Sequence, residues 1–263
     1  DGQNSGSYGQ GLSFSEPQSK PALRRVMDIL DRCHFPIYHS IGNHELYNFT
    51  IEELKEVLSS KDRKHRVAEE NLYYQFRPSP GWVGIMLNPY EVSVTLPKES
   101  LGHQKAVALL RQYNDNYLSQ GKVDYFRGLS GLNQRFVPFN GGLGEKQLLW
   151  LSLRIQEAVA AGERILVFSH IPLCPDAASA RNIAYDYDRV LEILETEGKG
   201  NVKAVFAGHY HRGGYAKDKA GIHHLTLRAI LTHNDSFGHV DVYMDRLEFV
   251  GRGGHGSKNL SFA

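Results

Sequence analysis

Two short runs constrain this chain more than any other feature: Ile165-Leu166-Val167-Phe168, wholly apolar, and Val202 to Ala207, apolar except for Lys203. A strand with one wet face alternates apolar and polar side chains, whereas a strand covered on both faces is apolar nearly throughout. Each run follows a helical pattern. Leu148, Leu149, Ile155 and Val159 mark a helix over about Glu145 to Ala160, and a second covers about Asp188 to Glu197. Buried strands alternating with helices predict an α/β fold. Both runs stop on a histidine loop, Ser169-His170-Ile171-Pro172 and Gly208-His209-Tyr210-His211.

Upstream, Asp1 to Ser15 reads as a loop, and Leu23, Val26, Met27 and Leu30 keep helical spacing over Pro21 to Arg32. A short strand, Ile37 to Ile41, runs into the polar loop Gly42-Asn43-His44-Glu45, and Thr50 with Glu53 forms a capping-box signature for the next helix. Strands are expected at Tyr73 to Arg77 and Trp82 to Leu87, and a helix at Glu99 to Tyr113. Asn114 to Gly144, rich in Gly and Asn, reads as an irregular insertion. His223 to Leu227, His239 to Met244 and Leu247 to Gly251 look like successive strands, with Met244-Asp245-Arg246 as a tight turn. The 263 residues fit one domain.

Composition narrows the partners. Lys plus Arg (30) nearly cancels Asp plus Glu (29), so no global field favours nucleic acid or an anionic membrane, and no apolar run approaches a bilayer span. Two cysteines, Cys33 and Cys174, cannot form a disulfide framework, and a reducing, cytoplasmic setting is the plainer expectation.

Three times, an apolar strand gives way to a loop carrying His with Gly, Ser or Asn, the third being Gly42-Asn43-His44-Glu45. Strand ends on one edge of an α/β sheet converge in space. Imidazole with amide or carboxylate oxygen suits Mn, Fe or Zn, whereas a soft-metal site would want thiolates that are lacking here. Two metals about 3.5–4 Å apart can neutralise a phosphate diester and generate its nucleophile, while an imidazolium opposite helps the leaving group depart.

These loops, in this order and spacing, resemble the signature pieces of the calcineurin-like metallophosphoesterases. Within that superfamily the chain looks most similar to the manganese-dependent diphosphatases of ADP-ribose and CDP-alcohols. The stretches carrying this are Gly42 to Phe49, Phe136 to Gly142, Ser169 to Asp176 and Phe206 to Tyr215. The resemblance implies a two-layer mixed β-sandwich flanked by helices, and two divalent metal ions, Mn foremost with Fe or Zn as alternatives. It makes Asn43, His170 and His209 ligands of one ion and His211 a ligand of the other. His44 becomes the acid near the leaving oxygen, oriented by Glu45. The implied reaction is hydrolysis of a nucleoside diphosphate-linked sugar or alcohol by a monomeric enzyme. The alternatives are a phosphoprotein phosphatase, a cyclic-nucleotide phosphodiesterase, or a non-catalytic binding protein on the same fold.

The family also uses an N-terminal Asp-x-His or Asp-x-Gln and bridges its metals with the first Asp of Gly-Asp-x-x-Asp-Gly. Neither is present, and Asp1-Gly2 looks like the end of the second motif. The chain therefore reads as lacking its N-terminal strand or strands, with an exposed sheet edge, and as inactive alone though an enzyme when intact. Other residues have plainer roles. His34, His39, His65, His103, His233, His239 and His255 lack partners at ligand spacing, and His223-His224 should alternate across a strand, one side chain in and one out. Lys61 to Arg66 reads as a solvated surface, and nothing near Cys174 activates its thiol. An aromatic between Tyr113 and Phe139, or Tyr185, is a candidate to stack on a nucleobase.

Overall fold

The structure, a computed structural model, describes residues 18–58, the backbone of 65–66, and residues 72–118 and 124–262. The expected loop over Asp1 to Ser15, the Asp1-Gly2 motif, and the side chains of the basic run Lys61 to Arg66, His65 among them, lie outside the described residues. The chain divides into two compact units between Leu72 and Tyr73.

In the N-terminal unit, helix α1 (Ser19–Leu30) is followed by strand β1 (Ile37–Tyr38), helix α2 (Asn43–Asn48), helix α3 (Ile51–Leu58) and strand β2 (His65–Arg66), which lies parallel to β1. Helix α1 starts two residues before Pro21 and stops at Leu30, where Arg32 and Cys33 donate to Ile29 and Leu30 in a tightened last turn. Thr50 and Glu53 cap α3 reciprocally, as the spacing predicts: Thr50 N–H donates to Glu53 Oε2 at 3.0 Å and Glu53 N–H to Thr50 Oγ1 at 3.2 Å. Met27, Ile41, Leu54, Leu58 and Leu72 form the core of this unit.

The C-terminal unit runs β3 (Tyr74–Phe76), β4 (Trp82–Met86), α4 (Leu101–Tyr113), α5 (Gly144–Ala160), β5 (Arg164–Ser169), α6 (Tyr187–Thr196) and β6 (Val202–Ala207). It continues with β7 (Gly214–Lys217), β8 (His223–Thr226), β9 (Phe237–Val242), β10 (Arg246–Arg252) and β11 (Lys258–Ser261). Six strands form one mixed sheet in the order β3-β4-β5-β6-β8-β7, in which β4, β5, β6 and β8 are parallel and the edge strands β3 and β7 antiparallel. A second, antiparallel sheet has the order β11-β10-β9. Trp82, Leu166, Ala204, Phe206 and Leu225 from the first sheet share one core with Leu247, Phe249 and Leu260 from the second. On the other face, Ile165 and Val167 are buried, and α5 packs on β5 and α6. This is the expected sandwich with helical cover, and it explains the apolar runs: β5 and β6 are covered on both sides, with Arg164, Phe168 and Lys203 half-buried. No helix among the described residues is long and apolar enough to cross a membrane.

Strands β7 and β11 have no counterpart in the sequence reading. Every residue of β7 is at least partly exposed, and β11 buries only Leu260, so neither shows an apolar alternation. The expectation for His223-His224 needs correction. The pair does straddle β8, but both side chains are buried, at 3% and 2% exposure. His223 Nε2 lies 2.8 Å from the Ser261 carbonyl and its Nδ1 3.0 Å from Tyr215 Oη; His224 Nε2 lies 2.8 Å from Asp218 Oδ2. Tyr215 of β7 and Ser261 of β11 cover His223 on one face and Asp218 of the β7–β8 turn covers His224 on the other, so neither side chain is left to water.

Leu247 is fully buried between the sheets. Leu247→Ala should cost about 2–5 kcal/mol through lost burial and the cavity left behind, read as a lowered urea midpoint. For His223, a carbonyl at Nε2 and a hydroxyl at Nδ1 match the neutral tautomer, and burial, followed by nearby Lys217 and His224, holds its pKa below the ordinary histidine range. Between the folded and unfolded pKa values the unfolded chain binds the extra proton. The contribution is therefore complete above about pH 6.5, the unfolded value, and is lost as pH falls toward the folded one. Urea midpoints from pH 7.5 to 5 should decline less in His223→Gln than in the parent; equal slopes would assign the decline to other groups.

Candidate functional site

In the N-terminal unit, Gly42-Asn43-His44-Glu45 is not a loop. It opens α2, with extended Gly42 as N-cap and its N–H donating to Glu45 Oε2 at 2.9 Å. Buried Asn43 turns its amide N–H toward Tyr47 Oη at 3.3 Å, and Asn48 Nδ2 donates to the His44 carbonyl at 2.7 Å. The His44 ring is half-buried, 5.6 Å from the Tyr47 ring. One turn of helix thus fixes an amide and an imidazole on consecutive residues.

In the C-terminal unit, parallel strands β5 and β6 deliver His170 and His209 to the same sheet edge, where their rings meet edge to face with centroids 5.1 Å apart. The loops are pinned together: Gly208 N–H donates to the His170 carbonyl at 3.0 Å, and Ser169 Oγ to the Ile171 carbonyl at 2.8 Å. His209 has φ +61°, a left-handed conformation that costs a non-glycine residue roughly 1–3 kcal/mol and persists only where its surroundings impose it. Residues held this way cluster at functional sites.

Asn140 is one residue that holds His209. His209 Nε2 lies 2.8 Å from Asn140 Oδ1, while Asn140 Nδ2 donates to the carbonyls of Arg135 at 2.8 Å and Arg181 at 2.9 Å. Two carbonyl acceptors settle which end of the amide is nitrogen, so Asn140 presents oxygen and the His209 proton sits on Nε2. The lone pair then belongs to Nδ1, as in a metal-ligating histidine oriented by an outer partner. Asn140 is completely buried, and its own carbonyl accepts from Ser93 Oγ at 3.2 Å. Tyr90 and Phe139 flank the pair, their rings 6.0 Å from His170 and His209 respectively. The sequence gives Asn140 and Tyr90 no individual role and offers Phe139 only among the aromatics that could stack on a nucleobase; the Asn140-Gly141-Gly142 run is the available signal for Asn140, because a buried chain in a turn needs small residues and a side chain that satisfies its backbone.

His211 is exposed, and its carbonyl accepts from Ala229 N–H at 3.1 Å. Cys174 is buried and burial pushes its thiol pKa up, which leaves it inert as expected. Burial also raises Glu91, beside Gln147, and Asp186, whose carboxylate accepts from Leu143 and Gly144 N–H at the start of α5. Tyr185 is core rather than a stacking platform: it packs against Phe136, and its hydroxyl donates to the Val137 carbonyl at 2.7 Å. His103 Nδ1 lies 2.9 Å from the Leu96 carbonyl, a structural role. Among the described residues no group of three or more His, Cys, Asp or Glu gathers around a metal position. What β5 and β6 gather is two imidazoles and an orienting amide, a donor set that fits a borderline divalent ion such as Mn, Fe or Zn.

Residues 9–213 match the model of the calcineurin-like phosphoesterase family. The chain is 36% identical over 238 residues to the manganese-dependent ADP-ribose/CDP-alcohol diphosphatase of Arabidopsis thaliana, an alignment covering 89% of this chain and 73% of that one. It is 34% identical over 248 residues to the Homo sapiens protein of the same name, covering 89% and 70%. The crystal structure of a dimetal phosphatase from Danio rerio superimposes with a TM-score of 0.80 at 32% identity, covering 93% of this chain and 78% of that one.

Removing the Asn140 amide should be felt beyond its size, because it strips partners from His209 and from two carbonyls. Asn140→Ala should lower stability by about 1–3 kcal/mol and change the ¹⁵N chemical shifts of the His209 ring as the Nε2 proton loses its acceptor. Unchanged His209 shifts would show that the ring is held by other groups.

Proposed function

The chain belongs to the calcineurin-like phosphoesterase family of metal-dependent hydrolases that act on phosphoester or diphosphate bonds, and from that premise we propose that it hydrolyses nucleoside diphosphate-linked sugars or alcohols. ADP-ribose and CDP-alcohols are the substrates that the relatives' names supply. What carries the reading is the His170–His209 pair at neighbouring parallel strand ends, with His209 held in a strained backbone by a buried amide. Such an arrangement is costly for a purely structural histidine.

In this reading, as the family resemblance implies, Asn43, His170 and His209 would be ligands of one divalent ion and His211 of the other. When bound, the ions supply Lewis acidity and offset the charge of the diphosphate; manganese is the metal in the relatives' names. The chain's own residues do the rest. Asn43 would contribute a hard amide oxygen, and the half-buried imidazoles of His170 and His209 would contribute nitrogen donors, that of His209 oriented by Asn140. His44, near the N-terminus of α2, donates a ring proton to the bridging oxygen as the phosphorus–oxygen bond breaks, with Glu45 positioning it. Water adds to one phosphorus, and the products are a nucleoside monophosphate and a phosphorylated sugar or alcohol.

The full-length protein with Mn²⁺ should release AMP from ADP-ribose or CMP from a CDP-alcohol in preference to hydrolysing a cyclic nucleotide or a phosphopeptide. Turnover of only the last two would move the assignment to a phosphodiesterase or protein phosphatase, and Mn²⁺ binding with no turnover to a binding protein. His44→Ala should keep its metal content and lose roughly 10²–10⁴-fold in kcat on ADP-ribose, with a smaller loss on a nitrophenyl ester whose leaving group needs little protonation. His209→Ala should lose metal. Equal losses on both substrates in His44→Ala would place the acid elsewhere.

A further inference from the structure

A cavity of about 310 Å³ in the C-terminal unit begins at Arg212, the residue after His211, and Arg212, Arg228, Lys258, Tyr215, His255 and Phe249 line it with several glycines. Its place follows from the topology. Thr226 to Arg228 leave the carboxyl end of β8, the parallel neighbour of β6, so the cavity sits on the sheet edge that carries His170 and His209. Arg212 directly follows His211, and Ala229 N–H holds the His211 carbonyl, which keeps Arg228 alongside.

Three permanent cations line this space and no Asp or Glu does. Among the described residues none of the three has a carboxylate in ion-pair distance; Arg228 Nη1 lies 3.4 Å from His233 Nε2, and Lys258 Nζ lies 4.3 Å from the centre of the Tyr215 ring. The geometry is prepared. Gly213 has φ +67°, and a Cβ there would stand 2.7 Å from Arg228 Cγ, so the bare glycine backbone bears on the arginine stem. A Cβ at Gly214 would meet the Ala177 carbonyl at 2.2 Å. Burial, then Arg228 and His233, hold the His255 pKa below the ordinary histidine range, consistent with a positive potential in the cavity.

Like charges gathered without counter-charge are unfavourable unless an anion joins them, and guanidinium groups suit phosphate oxygens through paired, charge-assisted hydrogen bonds. The volume is near the lower end of the small-ligand range, enough for a phosphate with part of its attached group. Resting on the diphosphatase reading, we propose that Arg212, Arg228 and Lys258 form an anion subsite that holds the phosphate-bearing half of the diphosphate substrate, away from the phosphorus under attack. In turnover the subsite favours diphosphates over single phosphate esters, because an ester whose one phosphate is under attack has no second phosphate to place there.

The test combines binding and kinetics. Calorimetric titration of the full-length protein in EDTA with pyrophosphate and with AMP should show binding that weakens at least 10-fold in Arg212→Gln/Arg228→Gln/Lys258→Gln. That corresponds to the loss of one charged hydrogen bond or more. Arg212→Gln alone, an exposed change, should give part of this loss, and matching urea midpoints would show that the fold is kept. With Mn²⁺, KM for ADP-ribose should rise at least 10-fold in the triple variant while kcat changes little, and the rise should exceed that for nitrophenyl phosphate. Unchanged pyrophosphate and AMP affinity overturns the subsite. Weakened affinity with an unchanged KM for ADP-ribose overturns its assignment to substrate and leaves free phosphate compounds as its ligands. If the parent protein turns over no diphosphate, the proposed function fails, and the titrations still decide the anion site.

Discussion

The structure depends on the burial of β5 and β6 on both faces. With a second sheet over Leu166, Ala204 and Phe206 and helices over Ile165 and Val167, no polar side chain fits along these strands without an internal partner. Chemistry-bearing residues are pushed to the strand ends. Because β4, β5, β6 and β8 are parallel, those ends share one edge, and consecutive loops are brought together that the sequence separates by dozens of residues.

That edge is rigid in a specific way. The left-handed backbone at His209 is unfavourable in isolation and is offset by the buried amide of Asn140, which is itself anchored on two carbonyls. Strain and restraint are coupled through one hydrogen bond.

Much of this was legible in the chain. The strands over 165–168 and 202–207 and the meeting of His170 with His209 follow from apolar runs and from where they stop, and the Thr50–Glu53 cap follows from its spacing. What stayed hidden has physical reasons. Gly42 with Glu45 has capping-box spacing, but a glycine offers no side chain to announce a helix start, so α2 read as a loop. Alternation at His223-His224 gives the two faces of β8 but not whether each is covered, and the cover comes from β7 and β11, strands too exposed to show a pattern. Asn140 lies in an aperiodic, Gly-rich segment, and its partner His209 is 69 residues away. No local rule connects them.

The reach of Asn140 has a consequence for how the molecule is made. Its side chain and carbonyl bind groups 41, 47 and 69 residues distant, on loops following β4, β5 and β6. Loop-closure entropy grows only logarithmically with length, so such ties cost little more than short ones once their ends are brought near. Bringing the ends near is the work of the parallel sheet, whose own pairings are non-local and slow to form. The His209 environment therefore needs those pairings in place before it can close. A nascent chain still emerging beyond residue 140 holds one half of this clasp and waits for β6 to supply the other.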